Sequence, residues 1–325
     1  MQSLSVQRIV IMGIGSMLLA GCASSPTGNI EAFGSAATEV STSIDTVISD
    51  YNQAVINNHL VAMAQSKRAY VAADFDDIKQ IIIRDANKQE LSLNQANKAL
   101  GDYAKALVAL ARAGSREEIA ISTSSLSKAL LMMDSQHQLL LQKEAAVTKD
   151  GAAKIARVIA QLSSGYIESK KAKALKTIII AADPAVQKIG LVVNNQLLKG
   201  VIESRLYTMR GSELAGYFAD YNAKSSSRSF VQKKQKLDEI YEKYVQMEAT
   251  SASVKQAQTA LLAVMKSHQV LKDELEKDNY SGTGVIEALK KIKANHTAFD
   301  ALETLIKNCD TEIIPSEEQG IICKP

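Results

Sequence analysis

The chain is poor in the residues that shape sheets and tight turns. It has no tryptophan, four prolines and an aromatic content of 5% among 325 residues, and Pro184 is the single proline between residues 34 and 314. No segment keeps the alternation of apolar and polar residues that marks a half-buried strand. Ala, Leu, Lys, Gln and Glu are abundant, and these residue types favour helices. We therefore predict an all-α protein.

The familiar catalytic signatures are also missing. The chain has no Gly-x-Ser-x-Gly nucleophile elbow, no phosphate-binding loop, no His-Glu-x-x-His zinc motif and no Glu-x-x-His di-iron motif. Lysine and arginine total 38 against 35 acidic residues, and no basic block stands out along the chain. We therefore predict a protein that is not an enzyme, holds no metal or other cofactor and has no nucleic-acid partner.

The N-terminal region carries an export signal. Leu19-Ala20-Gly21-Cys22 closes an apolar stretch of twelve residues from Ile9 to Ala20, and Arg8 is the only charge before it. This order of charged start, apolar middle and small residues before a cysteine resembles the lipobox of bacterial lipoproteins. The resemblance implies cleavage before Cys22, a diacylglycerol on its sulfur and an acyl chain such as palmitate on the new amino terminus. Twelve apolar residues are too few to span a membrane, which takes about 20.

The same resemblance predicts a location. In lipoproteins a residue other than Asp after the lipidated cysteine favours the outer membrane, and Ala23 fits that pattern. We therefore expect a cell-envelope protein, held by its lipid at the outer membrane and facing the periplasm.

Composition divides the chain into four segments. They are a signal peptide over 1–21, a flexible lipidated tether over 22–29, a helical bundle over 30–308 and a C-terminal tail over 309–325. Cys309 and Cys323 remain as a pair once Cys22 is lipidated, so we predict a disulfide that closes the tail. Such a loop of about 15 residues contributes about 3 kcal/mol. The alternative is a zinc or catalytic thiol pair, which no nearby histidine or third cysteine supports.

Capping residues predict where several helices begin. Ser115 with Glu118, and Ser229 with Gln232, have the spacing of capping boxes. Asp183-Pro184 combines an N-cap acceptor with proline at the first helical position, which predicts a new helix there.

The clearest periodicity lies near the C-terminus. Residues recur there at alternating steps of three and four: Val254, Ala257, Leu261, Val264, His268, Leu271 and Leu275. This heptad seam predicts a long helix packed against long partners. The preceding helix has a seam in another phase, at Phe230, Leu237, Ile240, Tyr244 and Met247. Either a turn lies within residues 249–253, which we favour, or one overwound helix continues. We predict an elongated antiparallel helical bundle with coiled-coil-like seams.

The four histidines all fall on apolar helical stripes, at His59, His137, His268 and His296. One hypothesis is that two or more converge across helices as a metal site or a pH switch. The alternative, which we favour, is single core or boundary histidines, each bonded to a neighbouring hydroxyl or carbonyl.

Seven of the fifteen aromatic residues lie within 38 consecutive positions: Tyr207, Tyr217, Phe218, Tyr221, Phe230, Tyr241 and Tyr244. Two helices joined at the Ser-rich break over 225–229 would bring these rings to one region. Exposed tyrosines are favoured in interfaces, so the group is a candidate partner-binding surface. The alternative is that the rings fill one part of the core.

Three functions follow. The one we favour is a non-enzymatic, membrane-anchored envelope lipoprotein whose bundle binds or scaffolds a protein partner or another copy of itself. The second is a membrane-active protein similar to the all-α pore formers, which would expose the apolar segment 177–193. We expect that segment to be two buried helix ends meeting at Asp183-Pro184. The third is a metal binder or enzyme built on the histidines.

Overall fold

The computed structural model describes residues 26–76, 87–141, 149–163, 168–195, 202–277, 283–308, 313–316 and 320–323. In these ranges nine helices of 15 residues or more follow one another: α1 (Pro26–Gln65), α2 (Asn87–Arg112), α3 (Arg116–Leu141), α4 (Lys149–Ser163), α5 (Glu168–Val192), α6 (Glu203–Lys224), α7 (Phe230–Glu248), α8 (Thr250–Glu276) and α9 (Thr283–Asn308). Two short strands come last, β1 (Ile313–Ser316) and β2 (Gly320–Cys323). The predicted all-α bundle is confirmed.

α1 is 40 residues long, which corresponds to about 60 Å. It begins at Pro26, because a proline in the first turn of a helix loses no hydrogen bond there. The predicted flexible tether over 22–29 is therefore wrong for residues 26–29, which belong to α1. Asn29 is buried, and Ile30 and Phe33 after it are core residues. Burial of this first turn outweighs the local Pro, Thr and Gly composition, which favours a loop.

Contacts along helix pairs give their directions. On α1 and α2, Ser41 bonds the Asn97 carbonyl while Glu31 pairs with Arg112, so residue numbers rise on one helix as they fall on the other. The contacts of α5 with α8, and of α6 with α7, have the same order. These pairs are antiparallel, as predicted.

Two glycines allow α1 and α2 to lie unusually close together. A Cβ atom at Gly34 would be 2.7 Å from the Ala104 carbonyl oxygen, and one at Gly101 would be 2.5 Å from Ser41 Oγ. Larger residues at either position would push the helices apart. This close packing sets the position of α2 in the core.

α5 runs without interruption through Pro184. The helix start predicted at Asp183-Pro184 is therefore wrong. An internal proline loses one backbone hydrogen bond and is unfavourable by about 3 kcal/mol in an isolated helix. Here the residues on both sides of Pro184 are held in the core, with Ile179 and Val186 almost fully buried. The Asp183 carboxylate bonds another helix instead of capping its own.

The heptad seam of α8 is confirmed, because all seven of its residues are buried. α8 packs against α1, α5 and α9, which places it at the centre of the bundle. Before it, α7 ends at Glu248 and α8 starts at Thr250, so the break falls within 249–253 but is one residue long. Ala249 keeps helical dihedrals, and its amide and carbonyl bond Val245 and Ser253 as in a continuous helix.

The capping boxes at Ser115 and Ser229 are both present. The tail forms an antiparallel hairpin that the sequence analysis did not anticipate, with Ile313 opposite Cys323. Cys22 and Cys309 lie outside the described residues, so the lipidation and the disulfide stay predictions.

Candidate functional site

The predicted aromatic group lies on one helical hairpin, formed by α6 and α7. A 3-10 turn at Ser225–Ser227 joins the two helices. Arg228 spans the turn, with its guanidinium 2.7 Å from the Asp220 carboxylate. The Ser-rich break therefore folds as expected, and it brings both helices to one side of the molecule.

Polar contacts fix this α6–α7 hairpin to the bundle. Arg210 of α6 lies 3.0 Å from the Asp50 carboxylate of α1, and it also donates to the Gln246 carbonyl oxygen and the Thr250 hydroxyl at 2.9 Å. Within the hairpin, the buried carboxylate of Glu213 pairs with Lys243 at 2.9 Å. The hairpin is thus anchored at its base by charge-assisted bonds.

The outer side of the hairpin is apolar and exposed. Phe230 is 80% exposed and Val231 is 73% exposed. Exposure lies between 41% and 45% for five more residues: Tyr207, Phe218, Leu237, Tyr241 and Tyr244. Tyr217 and Tyr221 are half-buried. Ile240 is the one buried residue of α7. The exposure favours a surface role over the core-filling alternative, and partner binding itself stays a prediction.

The sequence analysis missed two members of this surface. Val231 stands outside the aromatic pattern, and Leu237 was assigned to an internal seam. Lys233 and Lys234, one helical turn before Leu237, were the available signal for Leu237, because charged residues on the same side of a helix indicate exposure to solvent.

A second polar site lies deep in the core, centred on His268. Its Nδ1 is 2.8 Å from the Asp183 carboxylate of α5, and its Nε2 is 2.9 Å from the Tyr103 hydroxyl of α2. The ring is 0% exposed and stacks edge-on against Phe33 of α1 at 5.3 Å between centroids. Four helices therefore meet at one imidazole.

The partners of His268 determine which nitrogen carries the proton. A carboxylate only accepts hydrogen bonds, so Nδ1 donates to Asp183. In the neutral ring Nε2 then accepts from the Tyr103 hydroxyl. Gln187 donates to the same Asp183 oxygen at 3.1 Å and to the Met265 carbonyl oxygen at 2.9 Å, which ties α5 to α8 a second time.

The network shifts the acid–base behaviour of its members. Burial alone would raise the pKa of Asp183, but the hydrogen bond and charge of His268, with Gln187 and Lys272, hold that pKa below its ordinary value. Burial, reinforced by the charge of Asp183, raises the pKa of Tyr103. Asp183 is thus the ionised end of the network and Tyr103 the neutral end.

The network is enclosed, and the described cavity beside it is small. Tyr103 and His268 are 2% and 0% exposed. The adjoining cavity, lined by Phe33, Asn97 and Tyr103 among others, has a volume of about 20 Å³, which is room for one water. The contacts of the network join α1, α2, α5 and α8 in the core.

The other histidines do not join this site in the described part of the chain. His296 of α9 bonds the Ser43 hydroxyl at 3.1 Å and lies 3.2 Å from Asp300. His59 is half-buried, and the side chain of His137 lies outside the described residues. His268 and His296 fit the favoured interpretation of single bonded histidines. Among the described residues, no three potential metal ligands lie close enough to hold an ion.

One described helix, Lys170–Asn195, is long and apolar enough to cross a membrane by length and composition, and 61% of its apolar window is buried in the bundle. It overlaps α5 over residues 170–192, so the apolar segment 177–193 is part of a single core helix rather than two helix ends.

Comparison with known proteins adds no relative. No protein-family model matches this chain, and no curated protein or solved structure matches it significantly.

Proposed function

We propose that this chain is a lipid-anchored envelope protein, not an enzyme, that binds a protein partner through the outer side of its α6–α7 hairpin. The lipobox resemblance at Cys22 supports the anchor and its outer-membrane, periplasm-facing location. The observation that carries the binding role is the row of large apolar side chains left in solvent on a firmly anchored hairpin.

Such a surface has the composition of a binding site. Aromatic residues dominate the energetic centres of protein interfaces, because they bury much area and lose little side-chain entropy. The Arg210 and Glu213 contacts hold the hairpin before any partner arrives, so little ordering is needed on binding. An exposed row of this size on a monomer is itself unfavourable unless something covers it.

In-cell photocrosslinking tests the proposal on the native, lipidated chain. A photoreactive residue placed at Phe218, Phe230 or Tyr244 should capture a discrete protein product. Leu131 of α3 is the matched control, because it is 71% exposed and lies away from the hairpin in sequence. A probe at Leu131 should capture nothing reproducible.

Alanine variants complete this test. Phe230→Ala and Tyr244→Ala should each reduce capture by a probe at position 218 by tenfold or more, while the melting temperature stays within about 2 °C of wild type, since exposed substitutions cost less than about 0.5 kcal/mol. Unchanged capture, or equal capture by the Leu131 probe, would contradict the proposed surface.

A second candidate function is membrane insertion of α5. It is favoured by one observation: α5 is long and apolar enough to cross a membrane, and the bundle hides most of it. Asp183 in its middle is held by His268, so its release would require this network to open. Dye release from liposomes by the chain, at neutral and at acid pH, is the test. No release at any pH from 4 to 8 would exclude this candidate.

A further inference from the structure

Asn97 of α2 holds α2 against α1 with the donors of its side chain. Its Nδ2 donates to the Ser41 carbonyl oxygen at 2.9 Å and to the Asp45 carboxylate at 2.8 Å. Ser41 returns a bond, because its hydroxyl donates to the Asn97 carbonyl oxygen at 3.2 Å. These contacts fix the orientation of the amide, since turning it over would place Oδ1 against two acceptors.

The oxygen of the same amide is buried without a donor. Asn97 is 0% exposed, and among the residues that the structure describes no donor lies within hydrogen-bond distance of its Oδ1. An unpaired buried acceptor is unfavourable, and nearly all such groups in folded proteins are bonded to protein or to ordered water. The Oδ1 atom therefore needs a donor that the described part of the chain does not supply.

A small cavity adjoins this amide. Ser41 and Asn97 both line the cavity of about 20 Å³ beside Tyr103, and the rest of its lining is mainly apolar. The apolar residues come from α1, α2, α5 and α8, so the cavity lies where four helices meet. A space of this size holds one water and no larger molecule.

The polar groups that line the cavity have only acceptors left. The Ser41 hydroxyl has given its proton to the Asn97 carbonyl oxygen, and the Tyr103 hydroxyl donates to His268. Asn97 Oδ1 can only accept. A ligand that suits this lining donates two hydrogen bonds, which water does. A cation would bring an unpaired charge into a mainly apolar lining, at a much higher cost in desolvation.

We infer that one ordered water binds in this cavity and donates its two hydrogen bonds to Asn97 Oδ1 and to the Ser41 hydroxyl oxygen. The two residues already hold each other through three other atoms, so one water spans the acceptors that remain. The water completes the amide and adds a link between α1 and α2 where they pack closely. This site is independent of the proposed function, because it involves no partner protein.

Counting buried waters tests the inference on the purified full chain. Magnetic relaxation dispersion of water nuclei measures how many waters stay bound for long times. Asn97→Leu has nearly the shape of asparagine but no acceptor, so this variant should hold one long-lived water fewer than wild type. Asn222→Leu, at an exposed position of α6, is the matched control and should leave the number unchanged.

Filling the cavity gives a second readout. Val264 lines it, and Val264→Ile adds one methyl group there. In the wild-type background this group should displace the water and leave Oδ1 unpaired, so the melting temperature should fall by about 2 °C or more. In the Asn97→Leu background the same group fills apolar space, and the melting temperature should rise. Overpacking alone would shift both backgrounds equally.

Two results would overturn the inference. One is an equal number of long-lived waters in wild type and Asn97→Leu, and the other is the same shift of melting temperature by Val264→Ile in both backgrounds. If Asn97→Leu does not fold, Val264→Ile alone decides, because it should remove one long-lived water and lower the melting temperature. A dry cavity would instead give an unchanged number of waters.

Discussion

The core around His268 and the α6–α7 hairpin use polar and apolar groups in opposite ways. In the core, the polar atoms of His268, Tyr103 and Asp183 are bonded to one another inside an apolar environment. In the hairpin, the ion pair between Glu213 and Lys243 is enclosed between α6 and α7, while large apolar side chains face solvent. The first region joins helices of the core, whereas the second leaves its apolar surface in contact with solvent.

The difference concerns the free energy of folding, to which the two regions contribute unequally. Hydrophobic burial supplies most of the free energy of folding, and exposed side chains contribute little to it. The hairpin is therefore free to carry rings that a stability-driven design would remove. Arg210 fixes the base of the hairpin to α1, so the exposed surface is held in a fixed position on the bundle.

The largest expected effect is that of removing the imidazole from the core. His268→Ala leaves a cavity and deprives the buried Tyr103 hydroxyl and the partly buried Asp183 carboxylate of their partner. We expect the free energy of unfolding to fall by about 3–5 kcal/mol, as for other broken buried pairs. Denaturant unfolding followed by circular dichroism measures it.

Phe230→Ala in the hairpin is the matched variant, because it also removes a ring. Its cost should stay below about 0.5 kcal/mol, since the ring is 80% exposed. Equal costs for the two variants would remove the distinction between the regions.

A smaller effect, of opposite sign in the two regions, is expected from glycine substitutions. Gly34→Ala places a methyl group against the Ala104 carbonyl oxygen, where only movement of the backbone can make room, and should cost about 1–3 kcal/mol. Gly211→Ala in α6 meets only Met247, at an ordinary 3.6 Å, and should stabilise by about 0.5–1 kcal/mol through the lower entropy of the unfolded chain. Thermal melts of the two variants should move in opposite directions. A stabilising Gly34→Ala would show that α1 and α2 are not closely packed.

Features that depend on neighbouring residues could be predicted from the sequence. The α8 seam repeats over three turns or more, so its buried side follows from spacing alone. The capping boxes at Ser115 and Ser229 each depend on two residues three positions apart. The hairpin was found for the same reason, because the Ser-rich break and the aromatic residues are close in sequence.

Features that depend on distant residues could not be predicted. Asp183 and His268 are 85 positions apart, and Tyr103 and His268 are 165 apart. Local rules therefore assigned Asp183 to a helix cap, although tertiary burial carries α5 through Pro184. The exposure of Leu237 was missed because heptad spacing shows that a side of a helix is apolar, but not what covers it.

The smallest expected effect is on stability in the acid range, where Asp183 can be compared with Asp220. Both aspartates have lowered pKa values. The pKa of Asp183 lies below its unfolded value of about 3.9, so its stabilisation is fully present above about pH 4 and is lost as the pH falls through the folded pKa. Asp183→Asn should lower stability at pH 7 by about 1 kcal/mol and flatten the fall in stability between about pH 5 and pH 2. Urea unfolding at a series of pH values measures both.

Asp220 in the hairpin turn provides the contrast. Hydrogen bonds from Lys224 and Arg228 lower its pKa as well, but its side chain is 42% exposed and water and salt screen the pair. Asp220→Asn should therefore flatten the acid limb less than Asp183→Asn, and its effect should shrink further when salt is added. The effect of Asp183→Asn should persist in salt, because the low-dielectric core admits little screening. An equal and equally salt-sensitive flattening by both variants would mean that the His268 network is as open to solvent as the hairpin turn, contrary to its burial.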